Sequence, residues 1–102
     1  MFQALNTTAL TLGDSSINNL QTLLTAATIV TSGVSRIDLQ NRTGSTIYFA
    51  IKSGSVAPTS ANMHSLADGN IIPLMLNTPA DVWVGGAAGT IVVTPYRGGY
   101  SA

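Results

Sequence analysis

Residues 34–52 read VSRIDLQNRTGSTIYFAIK, two apolar-alternating runs separated by a polar segment that contains a glycine. In the first run Ile37 and Leu39 share one side, and Arg36, Asp38 and Gln40 the other. In the second, Ile47, Phe49 and Ile51 oppose Tyr48, Ala50 and Lys52. Side chains two apart on a pleated strand share a face, so each run is a strand with one buried and one wetter side. Between them Asn41-Arg42-Thr43-Gly44-Ser45 supplies turn chemistry, since Asn bonds its own backbone and Gly accepts positive φ. The stretch is therefore expected to form a β-hairpin.

Outward from this centre the chain keeps the same character. Ala9 to Leu12 reads as a short strand, broken by Gly13-Asp14-Ser15-Ser16. Ile17, Leu20 and Leu24 suit one helical face with Asp14 or Ser15 as N-cap, which predicts a turn or a helix of one to two turns. Ala26 to Thr31 (AATIVT) is expected as a strand that Ser32-Gly33 turns towards the centre. Beyond Lys52, SGSVAPTSANMHSL is turn-rich and long enough to cross between sheet edges. Leu66 to Asn70 turns tightly into a strand on which Ile72, Leu74 and Leu76 alternate, and Pro73 places that strand at an edge or bulge. Asp81 to Val84 is a strand with Val82 and Val84 on one face, Gly85 to Gly89 a turn, and Thr90 to Thr94 the last strand, ended by Pro95. Short strands with regular turn signals predict an all-β fold, a single antiparallel β-sandwich of jelly-roll type with seven or eight strands. The expected division is an arm over 1–8, the sandwich over 9–96 and a tail over 97–102.

Composition narrows the function. The chain has 102 residues, enough for one two-layer core without staples, and it is 45% hydrophobic but only 8% charged. Soluble domains average ~25% charged residues, so this surface is covered by Thr, Ser, Asn, Gln and Gly. Such a surface suits dense packing against neighbours in an assembly. Four basic residues against four acidic leave nothing to neutralise phosphates, so no nucleic-acid partner is expected. Cysteine is absent, which removes disulfide, thiolate-metal and thiol-nucleophile chemistry. The opening MFQALNTTAL shows neither a basic n-region nor a continuous apolar core, and no apolar run approaches ~20 residues. Neither a secretory signal nor a membrane span is expected, and synthesis falls in a cytoplasm.

Residues with chemical potential each have a simpler use. Gly13-Asp14-Ser15 echoes the nucleophile block of GDS-type esterases, but that chemistry needs a base, and His64 is the chain's one histidine. A turn or cap explains Ser15, and a loop or interface position explains His64. One His with scattered Asp residues makes no zinc set. Asp68 and Asp81 as a glycosidic pair compete with turn roles for both. Trp83 with Tyr48 offers a stacking platform for sugars, although aromatics on strands more often serve cores and interfaces. Gly85-Gly86 to Gly89 lacks the Lys and helix of a phosphate loop. No cofactor is expected.

The order of these motifs resembles a group of small tailed-phage virion proteins. The resemblance lies in Ile37-Asp38-Leu39-Gln40-Asn41 with Gly44-Ser45-Thr46-Ile47-Tyr48-Phe49, in Leu66 to Leu74, in Asp81 to Val84 and in Gly89-Thr90-Ile91-Val92-Val93. It covers the last two-thirds of the chain and is a pattern of turns and strands. It implies a non-enzymatic capsid decoration (cement) subunit, on the exterior of a particle assembled in a host cytoplasm. The implied partners are the major capsid protein and further copies of the chain, as a homotrimer in preference to a dimer. Expected inter-subunit contacts are Phe2 and Leu5 on the arm, then Tyr96, Arg97 and Tyr100. The alternative is a receptor- or glycan-binding module of a tail fibre, with Trp83 and Tyr48 exposed.

Overall fold

The computed structural model describes residues 2–29 and 31–98. Among the described residues there are nine strands and one short α-helix: β1 (Phe2–Ala4), β2 (Thr8–Leu12), β3 (Asn18–Asn19), α1 (Leu20–Ala26), β4 (Val34–Arg42), β5 (Ile47–Ile51), β6 (His64–Leu66), β7 (Ile71–Met75), β8 (Val82–Gly85) and β9 (Gly89–Gly98). One sheet runs β2-β9-β4-β7, with β1 prolonging β2 along the same side of β9; the other runs β3-β8-β5-β6. All pairings are antiparallel. The order 2-9-4-7 over 3-8-5-6 is that of an eight-stranded jelly roll, so the expected all-β sandwich is the fold.

The core lies between the sheets. Leu10, Leu12, Ile37, Leu39, Leu74, Ile91 and Val93 face inward from one sheet, and Ile47, Phe49, Leu66, Val82 and Val84 from the other. Burying each contributes roughly 1.5–3 kcal/mol. Val82 and Val84 share the inner face, as their spacing predicts, and both are fully buried.

The central stretch is not a hairpin. β4 lies between β9 and β7 in the first sheet, while β5 lies between β8 and β6 in the second. With both edges of each strand taken, the two cannot pair with each other. Residues 43–46 instead carry the chain across the sandwich as an arch, so the apolar sides of β4 and β5 meet across the core. Alternation records which side of a strand is buried, and that is the same for a hairpin and an arch. Asn41 holds the corner. It continues the inward phase of Ile37 and Leu39 and is fully buried. Its Nδ2 donates to the carbonyls of Ser45 (2.6 Å) and Leu66 (2.8 Å), and its Oδ1 accepts from the N–H (2.9 Å) and hydroxyl (2.8 Å) of Thr43.

The segment after Ile17 also differs. Asn19, rather than Asp14 or Ser15, caps the helix by accepting from the Gln21 N–H. The helix runs to Ala26 because Leu20 and Leu24 are both fully buried in the core. The strand expected over 26–31 is absent from the described part of that segment. Thr28 N–H bonds the Thr25 carbonyl and Ile29 N–H the Leu24 carbonyl, a Schellman closure. Thr28 occupies its left-handed position at φ 58°. Ile29 then packs against the core.

The terminal strands correct the expected boundaries. Phe2–Ala4, expected in an N-terminal arm, pair with Tyr96–Gly98 of β9 in the same chain, and the expected tail from 97 is partly strand. β9 also runs through Pro95 rather than stopping there. The Pro95 carbonyl accepts from Leu5 N–H (2.8 Å), so its ring nitrogen points at the edge formed by β1 and β2. A residue there cannot receive a ladder bond from proline, and the edge is interrupted at 5–7. Pro73 does sit on an edge strand, β7, as expected.

Candidate interaction surface

Among the described residues, no helix or strand is packed over the outer face of the β2-β9-β4-β7 sheet. Register places its side chains in rows across β9, β4 and β7: Tyr96, Arg36 and Met75; Thr94, Asp38 and Pro73; Val92, Gln40 and Ile71. Ala4 and Ala9 extend the first and third rows. Ile71 is 60% exposed and Met75 57%, at an edge where a solvated strand would carry charge.

The middle of this face is a closed polar network. Arg36 grips Asp38 side-on, Nε to Oδ1 at 3.0 Å and Nη2 to Oδ2 at 3.2 Å. Its guanidinium also lies 4.5 Å above the centre of the Tyr96 ring. The Tyr96 hydroxyl bonds Asp38, and this bond is the main reason its pKa lies above the ordinary tyrosine value. The network is self-neutralising.

The free edge of β7 is blunted. Leu76 N–H bonds Ser35 and the Asn70 carbonyl accepts from Asn41, so even-numbered residues of this strand face β4. Residues 71, 73 and 75 then point their backbone groups outward, and the middle one is Pro73, which has no N–H to offer. A strand added here would lose its central bond.

The residues singled out from sequence fall in separate places. Leu5 packs against the core beside Pro95. Tyr96 lies on the outer face, whereas Arg97 points to the opposite side, its Cγ 3.3 Å from where a Cβ on Gly33 would sit. Arg97, Leu5 and Ile29 line a groove of about 390 Å3 at the interrupted edge. Phe2 contributes backbone pairing to β9, and Tyr100 lies outside the described residues. Hence Tyr96 and Arg97 do not form one contact patch.

Trp83 and Tyr48 share the outer side of the second sheet without making an open platform. Trp83 is 6% exposed, and its Nε1 donates to the Lys52 carbonyl at 3.0 Å. The Tyr48 ring lies against Gly86, where a Cβ would meet its Cδ2 at 2.6 Å. The catalytic-looking residues are likewise dispersed. Ser15 bonds Gly86 through its carbonyl, on the β3 side of β8, while His64 lies on β6 beside Phe49. Strands β8 and β5 intervene, about three spacings or ~14 Å. Asp14 accepts from both the hydroxyl and the N–H of Ser16, which holds its pKa below the usual carboxylate value. Asp68 accepts from Gly44 N–H before β5, and the Asp81 carbonyl accepts from Lys52 N–H after it. The length of β5, at least ~13 Å, separates them and exceeds the spacing of a glycosidase pair. Among the described residues no cluster of three or more His, Cys, Asp or Glu could hold a metal, and no helix is long and apolar enough to cross a membrane.

Sequence reasoning missed Ile71 and Met75. Their signal was present: Ile71, Pro73 and Met75 are apolar in the phase opposite to Ile72, Leu74 and Leu76, so this strand is apolar on both faces. Comparisons with protein-family models, curated proteins and solved structures return no match.

Proposed function

We propose that this chain is a non-enzymatic structural subunit of a virion, a decoration or cement protein on the outside of a phage capsid. The observation that carries this reading is the distribution of exposed apolar side chains on a nearly uncharged sandwich. Ile71 and Met75 mark the outer face of one sheet, while Ile51 (50% exposed) and Val56 (70%) mark a second place, at the end of β5 and the loop after it. Lys52 Nζ ties that loop back by donating to the Val56 carbonyl. Two separate adhesive places on one rigid body are what a subunit needs to hold more than one neighbour. Repetition over a particle multiplies modest contacts through effective concentration. The jelly-roll order adds support by analogy, since capsid proteins use it often, although lectin domains do too.

The test is localisation. Antibody against the chain should label the head exterior of intact particles produced by the organism that encodes it. Purified particles that lack the chain would overturn the reading.

A further inference from the structure

We infer that the outer face of the β2-β9-β4-β7 sheet is a self-association surface, on which a second copy of this chain docks face to face about a two-fold axis. The inference rests on the adhesive reading above and names the occupant of one of its two surfaces.

Three observations select a second copy and this geometry. The edge is closed to strand addition, because Pro73 removes the central donor of β7, so association here proceeds through the face. The charges on the face are self-complementary. Arg36 and Asp38 lie two residues apart on β4 in adjacent rows. An in-plane two-fold between those rows sets Arg36 of each copy over Asp38 of the other, and each carboxylate keeps a cation on both sides. The same axis lays Met75 of each copy on Pro73 of the other and Tyr96 on Thr94. Arg42, the remaining charge on β4, lies about 13 Å along the strand from Asp38, beyond the overlap. Size is the third point. Four strands ~4.8 Å apart and seven residues of ~3.3 Å make a face of roughly 19 by 23 Å. Two copies cover about 900 Å2 in projection, and side-chain relief adds more, which falls in the range of weak, reversible interfaces. Aligned packing of two such sheets leaves ~10 Å between them, filled by these side chains.

The experiment uses the full chain in sedimentation equilibrium up to roughly 100 µM, a range that captures interfaces of this size. The expected species is a dimer. Asp38→Arg sets arginine against arginine across the axis and should weaken the dimer by about a hundredfold or more. The charge swap Arg36→Asp with Asp38→Arg should restore it, and Met75→Lys should weaken it with Asp38 intact. Circular dichroism shows whether each variant is folded. Because the chain has no cysteine, Thr94→Cys provides an independent reading that disturbs none of these charges. A bis-maleimide of about 10 Å reach should link it into dimers, while Ser65→Cys on β6 should stay unlinked. A wild-type monomer, a trimer, or a dimer indifferent to Asp38→Arg and Met75→Lys would overturn the inference. A monomer that still labels particles would refute the two-fold contact alone, and a dimer never found on particles would refute the virion reading alone.

Discussion

Replacing Asn41 by alanine removes the side chain that spans the corner between the two sheets. Its four hydrogen bonds do not all vanish at equal cost. Thr43 Oγ1 already lies 2.9 Å from the Ser45 carbonyl, so that acceptor keeps a donor. Thr43 is partly exposed, and its N–H can turn to water. The Leu66 carbonyl is different: Leu66 is 6% exposed, and Asn41 Nδ2 is its side-chain donor. The pairing of Ile47 with Leu66 leaves this carbonyl its ladder donor, so the lost side-chain bonds of this buried corner cost about 1–2 kcal/mol, and the void left by the carboxamide adds ~1 kcal/mol. The expected loss is therefore about 2–3 kcal/mol, a large share of the ~5–15 kcal/mol typical of a domain. Asn41→Asp sharpens the test at nearly constant shape. Its second oxygen would face the carbonyls of Ser45 and Leu66, so the folded state raises this carboxyl's pKa above the unfolded ~3.9. A raised pKa means stability is retained below the unfolded value and lost as pH rises through the folded one. At neutral pH the aspartate variant should thus be less stable than the alanine variant, and at about pH 3 the order should reverse. Urea unfolding followed by Trp83 emission measures both. An alanine variant within ~0.5 kcal/mol of wild type, or an aspartate variant whose loss is the same at both pH values, would refute the role of Asn41 as the corner's buried tie.

Other perturbations report on separate parts of the fold. Thr28→Gly relieves a β-branched residue held at φ 58°, worth about 1–2 kcal/mol, and gives back ~0.5–1 kcal/mol in unfolded-chain entropy. A net gain of about 0.5–1 kcal/mol in urea unfolding is expected. Gly85→Ala puts a Cβ 2.7 Å from Ile17 Cα and 2.9 Å from the Ser16 carbonyl carbon, both backbone atoms. The segment leading into β3 must shift, and thermal unfolding should show a loss of about 2–3 kcal/mol. Tyr96 has a folded-state pKa above 10.0, so its contribution is complete below that value and is lost as pH rises through the higher one. A spectroscopic titration of tyrosinate should contain a late-ionising component, and Asp38→Asn should move it back towards the ordinary value.

The sandwich was legible because inward positions repeat every second residue along Ile37-Leu39, Ile47-Phe49, Val82-Val84 and Ile91-Val93. Which strands pair was not, since that period carries no record of the partner. Asn41 illustrates the gap. As a polar residue beside Thr43-Gly44 it reads as part of a turn, yet its phase with Ile37 and Leu39 points it into the core. The missed helix end at 26 has the opposite cause: Thr, Ile and Val after it favour strand locally, but burial of Leu20 and Leu24 and the closure at Thr28 decide the backbone. The candidate surface was half legible. Low charge in the sequence predicted a weakly charged exterior, whereas the aromatic residues that drew attention, Trp83 and Tyr48, went to packing.

Two prolines shape the borders of this sheet. Pro95 withholds a donor from the β1–β2 side of its sheet, so that border is interrupted at 5–7 and opens the groove lined by Arg97. Pro73 withholds one from the β7 side, so that border cannot template a further strand. With Pro73 on one border and a break at 5–7 in the other, sideways growth of the sheet is hindered, which limits uncontrolled strand addition, the usual hazard of exposed edges. What is left for contact is the broad face between them, where opposite charges cancel and Ile71 and Met75 remain uncovered. A neighbour held by a face has a defined orientation and a finite stoichiometry, whereas one added at an edge can repeat without limit. For a protein whose proposed work is to occupy fixed positions on a closed particle, blocking the second mode matters as much as providing the first.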